Sequence, residues 1–343
     1  TIHSPHTSRD AISIQPSEAT EKPAMVMKAS ASLRKVSIRT SVVSGTFLYV
    51  PFLFLSSRIG AAINTIQEVA DKEFQSAVVL PDWWPSARNR RRKAATAVLY
   101  ETIDRLIAER RAVAGGGEVA DRGDLLSMLL LSRDESGDRM SDREVRDQLV
   151  TLFVAGHETT SNALAWTWYL LSQHPEAWAA LAAEVDAVLA GRPAGAADLA
   201  ALRYTESVVL ESMRLRPPAW SIGREATEDV EIGGVAMPRG TQLWITQYVS
   251  HRDGRFFPRP LAFEPERWAD DLQRKLPRFA YFPFGGGPRL CIGNNFAMME
   301  AVLLLATIAQ RWRPQVAPGD SPRPQFSITL RPRGGVRATL HRR

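Results

Sequence analysis

A mainly helical fold with a smaller β part is expected for this chain of 343 residues, on three observations. An apolar stretch from Ser141 to about Gln173 opens with a helix-capping signal and is long enough to cross a core. Helical patterns flank it on both sides, at Asn89 to Arg111 and at Tyr204 to Leu215. The strand-like segments are short and gathered beyond residue 220, apart from the helices rather than alternating with them.

Composition narrows the class. Hydrophobic residues make up 45% of the chain, charged residues 23% and aromatics 8%, which sets aside a disordered, collagenous or polytopic membrane chain. The formal net charge of +6 is too small to require a nucleic-acid partner. The single cysteine, Cys291, rules out an intramolecular disulfide and fits a reducing compartment, so a cytoplasmic location is expected.

Residues 1–40 contain no Phe, Tyr or Trp and are rich in Ser, Thr and Ala, a composition with too little apolar surface to offset the entropy of ordering. They read as a tail or linker. An uncharged run follows between Arg39 and Arg58, with Phe47, Leu48, Tyr49, Val50, Pro51, Phe52, Leu53, Phe54 and Leu55 at its apolar centre. It falls short of the ~20 residues of a membrane span and reads as a buried strand or an interfacial segment. Residues 1–58 are therefore expected to be disordered or irregular, and the functional domain is expected to occupy 59–343.

From Ile59 onward the pattern is largely helical. Pro85 and Ser86 precede an Arg-rich amphipathic stretch that Gly115, Gly116 and Gly117 stop. Its basic run, Arg88, Arg90, Arg91, Arg92 and Lys93, reads as a solvated helix face. Ser141 with Glu144 three residues later forms a capping box for the central helix, which carries Ala155, Gly156, His157, Glu158, Thr159 and Thr160 in its middle. Small residues there permit close approach, and polar ones in an apolar helix are costly unless satisfied or used. A zinc-protease reading of His157 and Glu158 fails because Ser161 stands where the second histidine is required. A nucleophile elbow at Ala219 to Gly223 fails because Pro217 and Pro218 stand where a strand should lead in.

Tyr204 to Leu215 is expected to be a helix ended by Pro217, with Glu211 and Arg214 on one face. Then come Val230 to Ile232, a turn at Gly233 and Gly234, Val235, a second turn at Pro238 to Gly240, and a strand from Gln242 to Val249. Phe284, Gly285, Gly286, Gly287, Pro288, Arg289, Leu290, Cys291, Ile292 and Gly293 form a glycine-rich loop feeding a helix through Phe296 to Leu304. Backbone N–H groups and the positive helix end favour anionic sulfur at Cys291, which suits a soft metal. The glycines let a flat, bulky cofactor approach the backbone, and Arg289 can pair with a carboxylate on its rim. The Lys-Ser/Thr ending of a phosphate-binding loop is missing.

Phe284-x-x-Gly287-x-Arg289-x-Cys291-x-Gly293 resembles the haem-binding loop of the cytochrome P-450 haem-thiolate monooxygenases. Three further stretches resemble the same family in the same order: Ala155 to Thr160 its oxygen-binding helix, Glu211-Ser212-Met213-Arg214 its Glu-x-x-Arg pair, and Pro265-Glu266-Arg267-Trp268 its Pro-Glu-Arg-Phe turn. The resemblance covers roughly Ile59 to the end and implies a cytochrome P-450 fold, N-terminally incomplete. It implies haem b ligated by Cys291, with dioxygen as co-substrate and Glu158 and Thr159 as the distal catalytic pair delivering protons. Ala155 and Gly156 would leave room for oxygen and substrate, Arg224 and Arg289 would meet the haem propionates, and Phe284, Gly285 and Gly293 would line the cofactor. Glu211, Arg214 and Arg267 would form a buried supporting network, and His251 would be structural or surface.

The implied reaction inserts one oxygen atom into a lipophilic small molecule, with electrons from a separate ferredoxin or flavin reductase. Full-length members carry many more residues ahead of the oxygen-binding helix than precede Ala155 here. A truncated member, an altered reading frame and a divergent form that closes its pocket differently all fit that deficit. The alternative function is a catalytically inactive remnant with weak or no haem binding.

Overall fold

The computed structural model describes residues 50–76, 80–115, 118–317 and 319–343, with side chains from Arg58 onward. The tail expected over residues 1–40 lies outside them. Helix α1 spans Val50–Phe74, so the stretch expected as a buried strand or an interfacial segment is helical from Val50. Pro51 stands in the first turn, where a helix has no use for its missing N–H. The helix also runs through the boundary drawn between residues 58 and 59.

Helix α2, Ala87–Val113, starts where Ser86 accepts the backbone N–H of Asn89. Its basic face is less solvated than expected. Arg88 and Arg92 reach Glu73 of α1, at 3.6 and 2.8 Å, and Arg91 reaches Glu68 at 3.2 Å, so the acidic partner of much of this face is the preceding helix. Arg90 and Lys93 stay exposed. After the short α3, Leu125–Leu131, the capping box of Ser141 and Glu144 opens α4, Asp142–Gln173.

Two apolar cores meet along α4. Val145, Leu149, Val150 and Val154 belong to one core with α1, α2 and Leu130. Ala163, Leu170 and Leu171 belong to the other, with α5 (Pro175–Leu189), α6 (Arg203–Leu215), and Phe257, Phe263 and Trp268. Residues 155–162 lie between the two. A helix of this length, ~48 Å at 1.5 Å per residue, can leave one core before it enters the next.

The β part consists of two-stranded antiparallel sheets. Strand β1, Ile222–Glu225, pairs with β4, Gln242–Ile245, with Arg224 opposite Leu243; β2, Val230–Ile232, and β3, Val235–Met237, form the hairpin between them. The strand expected to reach Val249 stops at Ile245, and Gln247–Ser250 is the helical turn α7. Tyr248 N–H bonds the Trp220 carbonyl at 3.1 Å and Gln247 is wholly buried, so tertiary contacts bend the chain away from its partner strand. Beyond α8, Leu272–Lys275, helix α9, Asn294–Ala309, follows the cysteine loop. Strands β5, Trp312–Val316, and β8, Ala338–Arg342, enclose the hairpin of β6, Pro324–Phe326, and β7, Leu330–Pro332. No described helix is long and apolar enough to cross a membrane.

Candidate functional site

The cysteine loop is closed by backbone hydrogen bonds. Cys291 N–H donates to Phe284 O at 3.0 Å, Gly285 N–H to Phe282 O at 2.9 Å and Leu290 N–H to Gly287 O at 3.1 Å. Gly285 and Gly287 hold φ of 76° and 71°, a region that favours glycine. At Gly286 a Cβ would come within 2.3 Å of the Phe279 ring, so a side chain cannot be accommodated without displacing that ring.

This loop presents the Cys291 thiol at the surface among apolar side chains. Ile292 is 89% exposed and Phe296 64%, with Leu290 exposed beside them; so much apolar surface around one thiol is the mark of a binding face. Strand β1 leans on the loop, the Ile222 Cδ1 lying 3.3 Å from where a Cβ of Gly285 would stand, and its partner β4 exposes Trp244 and Ile245. A Cβ at Gly293 would sit 4.0 Å from the sulfur. The face therefore suits a flat apolar group ligated by sulfur. Among the described residues no three His, Cys, Asp or Glu side chains converge to hold a metal ion.

In the segment of α4 between the two cores, Ala155, Gly156 and His157 are exposed and nothing lies within 4 Å of a Cβ placed on Gly156. Thr159 is partly exposed, its hydroxyl donating to Ala155 O at 2.8 Å. Glu158 is 1% exposed, about 100° further round the helix, so the expected pair does not share one surface. Neither Glu158 oxygen has a hydrogen bond of good geometry, and burial pushes its pKa up from 4.5 to about 7, with nearby Thr329, Asn162 and Arg331 pulling the other way.

This shift has a thermodynamic consequence. Between pH 4.5 and about 7 the folded protein keeps a proton that the unfolded chain has released. Stability is therefore expected to fall as pH rises through that window, by up to ~3 kcal/mol. Urea unfolding of wild type and Glu158→Gln across pH 4 to 8 tests it, since the variant is expected to lack this component.

Glu211, Arg214 and Arg267 are brought together. Glu211 and Arg214 are both fully buried and form a bidentate pair, Nε to Oε2 and Nη2 to Oε1, each at 2.9 Å. Arg267 Nε donates to Glu211 Oε1 at 3.0 Å, and the Glu264 N–H joins the same oxygen at 2.9 Å. The remaining Arg214 donors bond the carbonyls of His251, Pro260 and Ala262. His251 is wholly buried, as befits its structural reading, and its Nε2 accepts the Phe282 N–H at 2.9 Å. Burial and the neighbouring Arg214 lower its pKa to about 3, so the ring is neutral. A continuous path thus runs from Arg214 through His251 and Phe282 to the cysteine loop.

Trp268, in the position the resemblance gives to Phe, adds a bond that motif matching does not disclose: its Nε1–H donates to Glu211 Oε2 at 2.9 Å. Trp268→Phe is expected to lower stability by ~1.5–3 kcal/mol, the worth of a hydrogen bond to a charged group, measured by urea unfolding.

Arg224 and Arg289 carry no carboxylate partner among the described residues. Arg224 bonds the Gly223 carbonyl at 2.8 Å, and Arg289 is exposed. Both are thus free for an anionic rim.

Comparison with known proteins gives the following. The family model described as cytochrome P450 matches residues 38–337. Cyclooctatin synthase of Streptomyces melanosporofaciens is 49% identical over 251 residues, 72% of this chain and 54% of that protein. Cyclooctat-9-en-7-ol 5-monooxygenase of the same organism is 42% identical, covering 69% of this chain and 51% of that protein. Pentalenene oxygenase of Streptomyces avermitilis is 39% identical, covering 72% and 54%. The crystal structure of a cytochrome P450 (CYP102L1) superposes with a TM-score of 0.72 at 29% identity, over 83% of this chain and 64% of that one. The chain spans about half the length of the curated relatives it matches.

Proposed function

The chain belongs to the cytochrome P450 family, and we propose that it acts as a haem-thiolate monooxygenase inserting one atom of dioxygen into a terpene hydrocarbon or terpene alcohol. The observation that carries this reading is the exposed Cys291 thiol on a glycine-built loop, ringed by exposed apolar side chains. The substrate class comes from the names of its relatives, which include a pentalenene oxygenase and a cyclooctat-9-en-7-ol monooxygenase.

Haem, when held by the Cys291 thiolate, would supply the activation of dioxygen. Leu290, Ile292 and Phe296 would shield the side that meets the Cys291 sulfur from water, and the Arg224 and Arg289 guanidinium groups would hold its propionates. Gly156 and Ala155 leave room above α4 for oxygen and substrate. Glu158, with its proton held near neutral pH, would donate and recover protons, and the Thr159 hydroxyl would exchange its bond to Ala155 O for one to a water beside α4.

Electrons would come from a separate ferredoxin or flavin reductase. A groove of about 470 Å³ lined by Phe284, Asn294, Met298 and Tyr281 adjoins the cysteine loop and offers a place for that donor. A cytoplasmic location accords with the single unpaired cysteine. Haem-supplied protein, a ferredoxin with its reductase and a panel of terpene hydrocarbons form the test. A product heavier by one oxygen atom is expected. Haem-loaded protein that reduces normally yet oxygenates none of the panel overturns the substrate class, and protein that retains no haem returns the reading of an inactive remnant.

A further inference from the structure

The tip of the β6–β7 hairpin lies buried beside both α1 and α4. Ser327 donates its hydroxyl to Asp71 of α1, and Arg331 of β7 forms an ion pair with the same carboxylate. The side chains of Asp71 and Arg331 are 7% and 13% exposed. From the other direction, Asn162 of α4, one turn beyond Glu158, donates Nδ2 to Thr329 Oγ1 at 3.1 Å, and Trp166 Nε1 donates to Leu330 O at 3.2 Å. One short hairpin thus engages a carboxylate of α1 through Ser327 and Arg331, and packs on α4 through Thr329 and Leu330, one turn beyond Glu158. Among the described residues, Arg331 from β7 and Asp71 from α1 are the charged groups that bear on Glu158, the first favouring its ionised form and the second its protonated form.

We propose that Asp71 is a positioning residue for Glu158: by engaging the Arg331 guanidinium it keeps that cation from closing onto the Glu158 carboxyl, which remains free to hold and release a proton. The proposal rests on the monooxygenase reading for its purpose, and on the geometry alone for its chemistry. A guanidinium pairs bidentately with whichever carboxylate is within reach, and a buried carboxyl so paired stays ionised. Asp71 decides which of the two is paired. Gln67, one turn before Asp71 and wholly buried, has no protein partner for either amide atom, and Asn162 Oδ1 has none either. Buried polar atoms of this kind are commonly satisfied by ordered water, which would connect Glu158 with its surroundings.

Infrared titration of the haem-loaded full chain tests this independently of turnover. The band of the protonated Glu158 carboxyl is the one that Glu158→Gln removes, and its midpoint is followed against pH in wild type, Asp71→Asn, Asp71→Glu and Arg331→Gln. Asp71→Asn removes the carboxylate that Arg331 engages, leaving Glu158 as the facing carboxyl, so the proton affinity of Glu158 is expected to fall about tenfold or more. Arg331→Gln leaves Asp71 as the facing charge, so the affinity is expected to rise, while Asp71→Glu stays near wild type. A purely structural Asp71 would not move the two variants in opposite directions.

An unchanged or raised midpoint in Asp71→Asn overturns the proposal. Should that variant fail to fold, an unchanged or lowered midpoint in Arg331→Gln overturns it instead. Turnover is scored separately. Opposite shifts in the two variants, together with a wild type that oxygenates nothing, leave the role of Asp71 standing and remove the monooxygenase reading, whereas turnover without the shifts removes the role of Asp71 alone.

Discussion

Cys291→Ala is expected to abolish the long-wavelength Soret band that reduced, haem-loaded protein gives under carbon monoxide, while leaving the fold intact. The band reports thiolate sulfur on iron, and the chain holds no other cysteine that could take its place. Neighbouring groups do not compensate, since no cluster of alternative ligands exists among the described residues. The thiol is exposed and unpaired, and what shapes its loop is the backbone bond to Phe284 O, which alanine keeps. Unfolding free energy of the apoprotein should therefore change by no more than ~0.5 kcal/mol, as for other surface substitutions. Cys291→Ser should give a weak, short-wavelength band or none, because a hydroxyl is a harder and poorer ligand than a thiolate. A long-wavelength band surviving in Cys291→Ala would mean that sulfur ligation plays no part and would remove the basis of the proposed function.

Loss of either member of the Glu211 and Arg214 pair is expected to be the most destabilising single change, ~3–5 kcal/mol, with haem retention falling alongside. All five Arg214 N–H donors are used: Nε and one Nη2 bond on Glu211, and the others on the carbonyls of His251, Pro260 and Ala262. Those three carbonyls belong to segments 37 to 48 residues away in sequence, so one guanidinium pins the whole loop region below the cysteine loop. Lysine has three donors on a point charge and cannot reproduce the planar fork, so Arg214→Lys is expected to behave as a disruptive change rather than a conservative one.

Glu211 is equally committed, accepting from Arg214, Arg267, Trp268 and the Glu264 backbone. Glu211→Gln removes the charge while leaving two arginines buried at its side, and an unpaired buried charge is the costly outcome. Thermal unfolding together with haem-to-protein ratio measures both effects. A drop below ~1 kcal/mol in either variant would place the pair among ordinary surface ion pairs, contrary to its burial.

The parts of this protein legible in the sequence are those set by residues close along the chain. Ser141 and Glu144 bond each other's backbone across one turn, so the start of α4 follows from two letters. Glu211 and Arg214 face the same way because three residues separate them on a helix, and the glycines around Cys291 announce a backbone that takes positive φ. The order of four motifs likewise points to the family, and the family match over residues 38–337 agrees.

Tertiary structure decided what depends on distant neighbours. Propensity continues β4 to Val249, yet the bond from Tyr248 to Trp220 and the burial of Gln247 turn that stretch into a helix. Motif matching puts Glu158 and Thr159 together, whereas packing against Asn162 and the β6–β7 hairpin buries one and leaves the other partly open. Asp71 and Ser327 stand 256 positions apart, and Trp268 meets Glu211 across 57. A sequence displays which side chains can form a bond, but a buried charge or hydrogen bond is stabilised by whatever folding brings within about 3 Å, and that proximity exists only once the cores have packed.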